Sequence, residues 1–189
     1  MEVTDPELML RLADGDDLAL NLLMDRWGGR LSGFLYKMTG HRDTAVDLAQ
    51  ETFVRLYQAR DRYHDGGNFS TYLFAIASNL ARNHARWKSR HPTVSMDGVR
   101  DDGTAALPEL ADLKATPDEA ARSSEKIRAV HEAFQRLPPD LREAMSLFVY
   151  EGMGYAEIAS IAQCSSKAVE TRIYRARQIL KERLGEFVS

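Results

Sequence analysis

The sequence predicts an all-α protein in which a flexible acidic linker joins two small helical domains, the C-terminal one a helix–turn–helix. Apolar residues recur at intervals of three and four along nearly every segment, which is the spacing of one buried helix face. By contrast, no segment shows the convincing period-two alternation of a half-buried strand. Capping residues, glycines and prolines separate the segments at helical lengths.

The first half of the chain is predicted to form four helices. Asp5-Pro6-Glu7 supplies an N-cap, a first-turn proline and an early acid for a short helix that ends near Gly15. The following helices are expected at about 16–37, 43–62 and 69–89. Asp43 is the expected cap of the helix at 43–62, and a loop from 63 to 68 precedes the helix at 69–89.

Residues 91–125 have the composition of a linker. They hold prolines, glycines and scattered acids with little periodicity, which is typical of a flexible segment. We therefore expect two domains, at 1–90 and 126–189. Further helices are predicted at about 118–137, 141–151, 155–162 and 166–184, with Asp140 as the cap of the second.

Charge is distributed unevenly along the 189 residues. The chain has 25 basic and 28 acidic residues, for a net charge of −3. Residues 41–90 and 126–189 carry net charges of +3 and +2, whereas residues 1–40 carry −3 and the predicted linker carries −5. Because local clusters set the field that a phosphate backbone feels, the acidic total does not exclude nucleic-acid binding.

Several classes of protein are disfavoured by simpler features. The longest apolar run has six residues, whereas a membrane span needs about 20, and we recognise no secretory leader. The single cysteine, Cys164, excludes an internal disulfide and is typical of a reducing compartment. We therefore expect a cytoplasmic protein that does not insert into membranes. The five histidines lack metal-ligand spacing, so no metal, cofactor or catalytic residue is expected.

The end of the chain has helix–turn–helix spacing. A short helix and a longer basic helix flank a three-residue turn, and Ala159 is small enough for the two helices to cross closely. Val169, Ile173 and Ala176 form the expected buried stripe of the longer helix, whose other face fits a major groove. Gln163 occupies the turn position where glycine is commonest, so a left-handed backbone is expected there. A plain α-hairpin with a solvated outer face is the alternative.

The fourth helix carries a different polar face. Asn79, Asn83, Arg86 and Arg90 follow one another at steps of four, three and four, with Trp87 among them. Amides and cations interleaved with an aromatic ring suit single-stranded or partly opened DNA, where bases stack and amides contact their edges. A tryptophan that only packs against the helix is the alternative interpretation.

Three stretches resemble the conserved regions two and four of bacterial sigma factors. They are DLAQETFVRLYQ (47–58), FSTYLFAIASNLARNHARWKSR (69–90) and LPPDLREAMSLFVYEGMGYAEIASIAQCSSKAVETRIYRARQIL (137–180). The short linker resembles that of the extracytoplasmic-function (ECF) group. The resemblance covers roughly residues 18–90 and 126–185. It implies an alternative sigma factor, which directs promoter-specific initiation without being an enzyme.

The resemblance also implies three binding surfaces. Contacts to the clamp helices of the largest subunit of core RNA polymerase would come from Asp47, Gln50, Glu51 and Arg55. The −10 element of promoter DNA would meet Tyr63, His64, Asn68, Asn79, Arg82, Asn83, Arg86 and Trp87. The −35 element would meet Ser165, Ser166, Lys167, Glu170, Thr171, Arg172, Tyr174 and Arg175. Relatives are often held inactive by an anti-sigma protein, which is therefore a possible partner.

Two other functions compete with this interpretation. A response-regulator-like transcription factor would explain residues 138–184 but would leave the 47–58 and 69–90 stretches without a role. An all-α enzyme would need a catalytic motif, and we find neither a glycine-rich phosphate loop nor a nucleophile elbow.

Overall fold

The computed structural model describes residues 3–63, 68–91 and 117–185. In these ranges the chain forms eight α-helices and one 3₁₀ turn, and no strand. The helices are α1 (Asp5–Ala13), α2 (Leu18–Thr39), α3 (Arg42–Gln58), α4 (Phe69–Arg90), α5 (Pro117–Gln135), α6 (Pro139–Val149), α7 (Tyr155–Ala162) and α8 (Ser166–Leu184). The predicted all-α class is confirmed. Most of the predicted linker, residues 92–116, lies outside the described residues, and residues 117–125 belong to α5.

The cap of α1 differs from the prediction. The N-cap is Thr4, not Asp5: the Thr4 hydroxyl accepts a hydrogen bond from the backbone N–H of Glu7 at 3.4 Å. The Glu7 carboxylate in turn accepts one from the backbone N–H of Thr4 at 2.7 Å. This reciprocal capping box satisfies two backbone N–H groups at once. It requires a Glu or Gln three residues after the N-cap, and Glu7 is three residues after Thr4 but only two after Asp5.

Three other predictions about helix ends were also wrong. Helix α3 begins at Arg42 with His41 as its N-cap, so Asp43 lies in its first turn and is not the cap. The helix expected to continue to residue 62 ends at Gln58, and a 3₁₀ turn follows over Arg60–Arg62. There the Arg60 side chain donates to the backbone carbonyl of Tyr57 at 2.9 Å and lies over the Tyr57 ring, and these contacts accompany the tighter turn. At α6, Pro139 begins the helix, so Asp140 lies in its first turn and is not the cap.

The core of the first half forms around α2. Trp27 and Phe34 of α2 meet Phe69 and Phe74 of α4 in edge-to-face contacts, with the rings of Phe34 and Phe74 centred 5.2 Å apart. Such contacts are favoured by the quadrupoles of the rings. All four side chains are buried, so this cluster fixes α4 against α2 and leaves the opposite face of α4 to solvent or to another part of the chain.

The second half packs as α6, α7 and α8. Ile158 and Ala159 of α7 are buried against the stripe of Val169, Ile173 and Ala176, as the helix–turn–helix prediction requires. Gln163 ends α7 with φ of 52° and ψ of 48°, which confirms the left-handed turn. The helix–turn–helix thus forms with a non-glycine residue in a conformation that glycine adopts more easily.

The two halves contact each other extensively. Helix α4 packs against α7, and α2 packs against α6 and α5. Their buried apolar side chains form one continuous cluster. At one edge of this contact, the ring of Tyr36 on α2 stacks on the ring of His131 on α5, with 5.2 Å between centroids. This packing determines which of the candidate surfaces are exposed.

Candidate functional site

The four candidate residues on α3 share a face directed away from the core. Asp47, Gln50 and Arg55 are exposed and Glu51 is partly exposed, while Ala45, Ala49 and Phe53 are buried on the other side. The Glu51 carboxylate accepts a hydrogen bond from Arg55 Nε at 2.8 Å, an exposed pair that contributes little to stability.

Two apolar side chains on α3 were missed by the sequence analysis. Val46 and Val54 are 41% and 48% exposed and lie beside the charged side chains. An exposed surface that mixes apolar and charged groups is typical of a protein-binding face. The sequence did contain a signal: both valines fall outside the buried stripe of α3.

The polar row on α4 is ordered by hydrogen bonds along the helix. Arg86 donates to the side-chain carbonyl of Asn83 at 2.9 Å, and Arg82 donates to that of Asn79 at 2.6 Å. Trp87 is 55% exposed and stacks on His91, with 5.1 Å between the ring centroids. The structure thus brings cations, amides and an exposed aromatic ring together on one helix, as expected for a surface that contacts unpaired bases.

The candidate residues before α4 fall into three cases. Asn68 is the N-cap of α4, where its side-chain oxygen accepts from the backbone N–H of Ser70 at 3.1 Å. The Tyr63 ring packs against the rings of Phe69 and Tyr72, so it is partly enclosed. His64 lies outside the described residues.

The outer face of α8 carries most of the remaining candidates. Ser165 caps the helix by accepting from the backbone N–H of Ala168 at 3.1 Å, and Ser166 follows it at the exposed first turn. Tyr174 is 63% exposed, and Arg175 next to it is also exposed. The helix therefore presents its N-terminus and a polar face outward, which is the geometry that a major groove accepts.

Within this face, Lys167 and Glu170 form an ion pair at 2.8 Å. The hydrogen bond that the Lys167 ammonium donates to the Glu170 carboxylate raises the pKa of Lys167. The pairing also partly neutralises the acid that would otherwise repel phosphate. Thr171 is exposed, with its hydroxyl donating to the Lys167 carbonyl at 2.9 Å.

Arg172 is placed differently from its neighbours on α8. Its guanidinium lies 3.5 Å from the Asp140 carboxylate of α6 and 3.5 Å from the Cys164 sulfur, and its side chain is only 25% exposed. The cause is its position three residues after the buried Val169, which turns it toward α6. In this structure Arg172 bridges the helices of its own domain, whereas Arg175 faces outward.

Family models match both halves of the chain. The model for sigma-70 region 2 matches residues 23–91, and the model for sigma-70 region 4 matches residues 127–180. The chain is 33% identical over 184 residues to the RNA polymerase sigma-H factor of Pseudomonas aeruginosa, an alignment that covers 95% of this chain and 93% of that protein. It is 32% identical to the ECF RNA polymerase sigma-E factor of Haemophilus influenzae, over 97% of this chain and 96% of the other.

The chain belongs to the extracytoplasmic-function sigma factors. It is an alternative sigma factor that directs promoter-specific transcription initiation, and it is not an enzyme. The match over residues 23–91 gives a role to the stretches that the response-regulator interpretation left unexplained.

Solved structures agree with this fold. CnrH, in complex with the cytosolic domain of CnrY, superposes with a TM-score of 0.70 at 26% identity, over 96% of this chain and 97% of CnrH. The sigma factor RpoE of Bartonella quintana, in complex with the anti-sigma factor NepR, superposes with a TM-score of 0.64 at 23% identity, over 87% and 96% of the two chains. Within the part of the chain that the structure describes, no helix is long and apolar enough to cross a membrane.

Proposed function

We propose that this sigma factor works through three separate surfaces, on α3, α4 and α8, which bind core polymerase, the −10 element and the −35 element respectively. The observation that carries the proposal is the exposed row on α4, where Asn83, Arg86 and Trp87 lie opposite an apolar face that packs on α2. Such a row can contact unpaired bases while the helix stays anchored in the domain.

The α3 surface supports binding to core polymerase. Asp47, Gln50, Glu51 and Arg55 supply charged and polar contacts beside the exposed apolar groups of Val46 and Val54. The resemblance of this stretch to sigma region two supports contact with the clamp helices of the largest polymerase subunit. Apolar contacts favour such a complex through buried area, and the surrounding charges fix its orientation.

The α4 surface and the residues before it are proposed to trap the opened −10 element. Tyr63, His64 and Asn68 would hold a flipped base at the start of α4. The rest of the row is Asn79, Arg82, Asn83, Arg86 and Trp87. Unpairing a base costs a few kcal/mol, so groups that bind only the unpaired form shift the equilibrium toward open DNA.

The α8 surface is proposed to bind duplex −35 DNA. Ser165, Ser166 and Lys167 would meet phosphate at the helix N-terminus. Base edges and further phosphates would meet Glu170, Thr171, Arg172, Tyr174 and Arg175, of which Arg172 must first leave Asp140. Since core polymerase holds both DNA-binding domains, each raises the effective concentration of the other.

Two further parts of the proposal concern cellular context. CnrH superposes with this chain over nearly its whole length and was solved with the cytosolic domain of CnrY bound, which supports a protein partner for this chain too. We propose that this partner is an anti-sigma factor. Adding such a partner in equal amount would abolish specific transcription. We also propose that the chain acts in the cytoplasm, where core polymerase and promoter DNA are found.

An Arg86→Ala variant tests the α4 assignment in a transcription assay with core polymerase. We expect the variant to give no transcripts from duplex promoters. Transcription should be restored when the −10 region of the promoter is supplied already unpaired. Arg128→Ala is the matched control, because Arg128 is an exposed arginine on α5 outside the three surfaces. Equal activity of the two variants on duplex promoters would contradict the assignment.

A further inference from the structure

A cavity lies where the end of α2 meets α5 and the end of α6. Its volume is about 230 Å³, a little below the range of sites for drug-sized ligands, so it suits a smaller molecule. None of the residues that line it belongs to the three proposed surfaces on α3, α4 and α8. The cavity therefore has no part in the proposed contacts to polymerase and promoter DNA.

Helix α5 supplies an apolar wall of the cavity. Ile127, Val130 and Phe134 line it, and they share one helix face because they follow one another at steps of three and four. The Phe134 ring meets the Tyr150 ring edge-to-face, with 5.9 Å between centroids. Branched aliphatic side chains beside aromatic rings are the usual walls of a site that encloses an apolar ligand body.

Lys37 of α2 supplies a charge to the same cavity. Its Nζ lies 4.1 Å from the centre of the Tyr150 ring and donates to the backbone carbonyl of Gly33 at 3.3 Å. Lys37 forms no ion pair with any residue that the structure describes. Glu151, the acid whose charge acts on it, pairs with Arg30 at 3.0 Å instead. The ammonium thus keeps two N–H donors for a ligand.

The remaining polar groups of the cavity also favour an anion. Lys126 lines its exposed rim. The His131 ring stacks on the Tyr36 ring, and burial lowers the pKa of His131, so this imidazole is neutral at pH 7. Among the described residues that line the cavity, none is acidic. A cationic ligand would find no counter-charge there, whereas an anion would meet two lysines.

We propose that this cavity binds a small aromatic carboxylate, with the ring against the apolar wall of α5 and the carboxylate on Lys37 and Lys126. A carboxylate brings one negative charge, which a single partly buried ammonium can match through charge-assisted hydrogen bonds. A phosphate dianion would bring a second charge into apolar surroundings, where an unpaired charge is costly. The inference goes beyond the proposed function and does not rest on it.

Titration of the unmodified full chain with 1-naphthoate tests the site directly. The methyl resonances of Ile127 and Val130 in the NMR spectrum report on the cavity wall. We expect them to shift and to saturate with a Kd of about 1 mM or lower, given the size of the probe. The neutral 1-naphthamide has the same ring and should bind at least tenfold more weakly. Shifts that are absent or do not saturate would overturn the site, and equal affinity for the amide would overturn the assignment of an anion.

The variant Lys37→Met tests the role of the ammonium. Methionine keeps an unbranched side chain but removes the charge, so the affinity for 1-naphthoate should fall at least tenfold while that for 1-naphthamide stays the same. Lys181→Met is the matched control, because Lys181 is exposed on α8 and does not line the cavity. Equal affinity of the two variants for 1-naphthoate, or an equal loss for both probes, would overturn the role of Lys37.

A second variant keeps the test decisive if Lys37→Met does not fold. Val130→Trp places a larger side chain at an exposed position of the wall and should weaken binding of both probes. Val54→Trp is its control, since Val54 is similarly exposed on α3. Equal affinity of these two variants, with circular dichroism confirming their helicity, would overturn the site. Every readout is binding to a small molecule, so failure here leaves the proposed function in place, and the converse also holds.

Discussion

Replacing Gln163 by glycine should stabilise the protein. Gln163 has φ of 52° and ψ of 48° in the turn between α7 and α8, a conformation that costs a residue with a Cβ about 1–2 kcal/mol. Glycine avoids this strain but loses about 0.5–1 kcal/mol more conformational entropy on folding. Subtracting the second figure from the first leaves a net gain in the free energy of unfolding of Gln163→Gly of about 0–1.5 kcal/mol, centred on about 0.5–1 kcal/mol.

Thermal unfolding followed by circular dichroism measures this gain. A change of 1 kcal/mol shifts Tm by about 2–4 °C in a chain of this size, so Gln163→Gly should raise Tm by about 1–4 °C. The matched control is Gln178→Gly, the same substitution at an exposed position inside α8. There glycine is a poor helix former and should lower the free energy of unfolding by about 1 kcal/mol.

Opposite signs for the two variants would establish that backbone conformation decides the effect. A lower Tm for both variants would refute the reasoning, because the left-handed strain at Gln163 would then be absent or compensated by contacts of its side chain. An unchanged Tm for Gln163→Gly beside a lowered Tm for Gln178→Gly would place the strain below 1 kcal/mol.

Three further predictions follow from single side chains. Ile173→Ala removes a fully buried side chain from the helix–turn–helix and should lower its free energy of unfolding by about 2–5 kcal/mol in chemical denaturation. Burial raises the pKa of Glu143 above 4.5, so the ionised form of Glu143 disfavours folding. The free energy of unfolding of the native chain, relative to that of Glu143→Gln, should therefore rise as pH falls through the raised pKa toward 4.5. The opposite trend with pH would contradict this prediction. Arg175→Ala should weaken binding to duplex −35 DNA and reduce the slope of log affinity against log salt by about 0.9, whereas an unchanged slope would exclude a phosphate contact.

Local patterns in the sequence were sufficient to predict the helices and the helix–turn–helix. The stripe of Val169, Ile173 and Ala176 repeats within one helix, so it is visible without knowledge of the rest of the fold. The left-handed turn at Gln163 was also predictable, because a short turn between crossing helices restricts its backbone. Helix ends were less predictable: Thr4 and Asp5 are both good capping residues, and the position of Glu7 favours Thr4.

Contacts between distant segments could not be predicted in this way. Arg82 and Glu143 are 61 positions apart in the sequence, and neither lies in a sequence pattern that predicts their contact. Arg172 was chosen as a DNA contact because it is a cation on a basic helix, but its angular position beside Val169 turns it toward Asp140. Composition identifies a basic surface, while packing determines which of its cations are available.

Promoter-specific transcription in a purified system tests the account most directly. Core RNA polymerase, this chain and a library of genomic promoter fragments would be mixed, and the transcripts sequenced. We predict transcripts that begin at a defined set of promoters with shared −10 and −35 elements and that require both proteins. Absence of such transcripts, together with the failure of the chain to comigrate with core polymerase on a sizing column, would contradict the account.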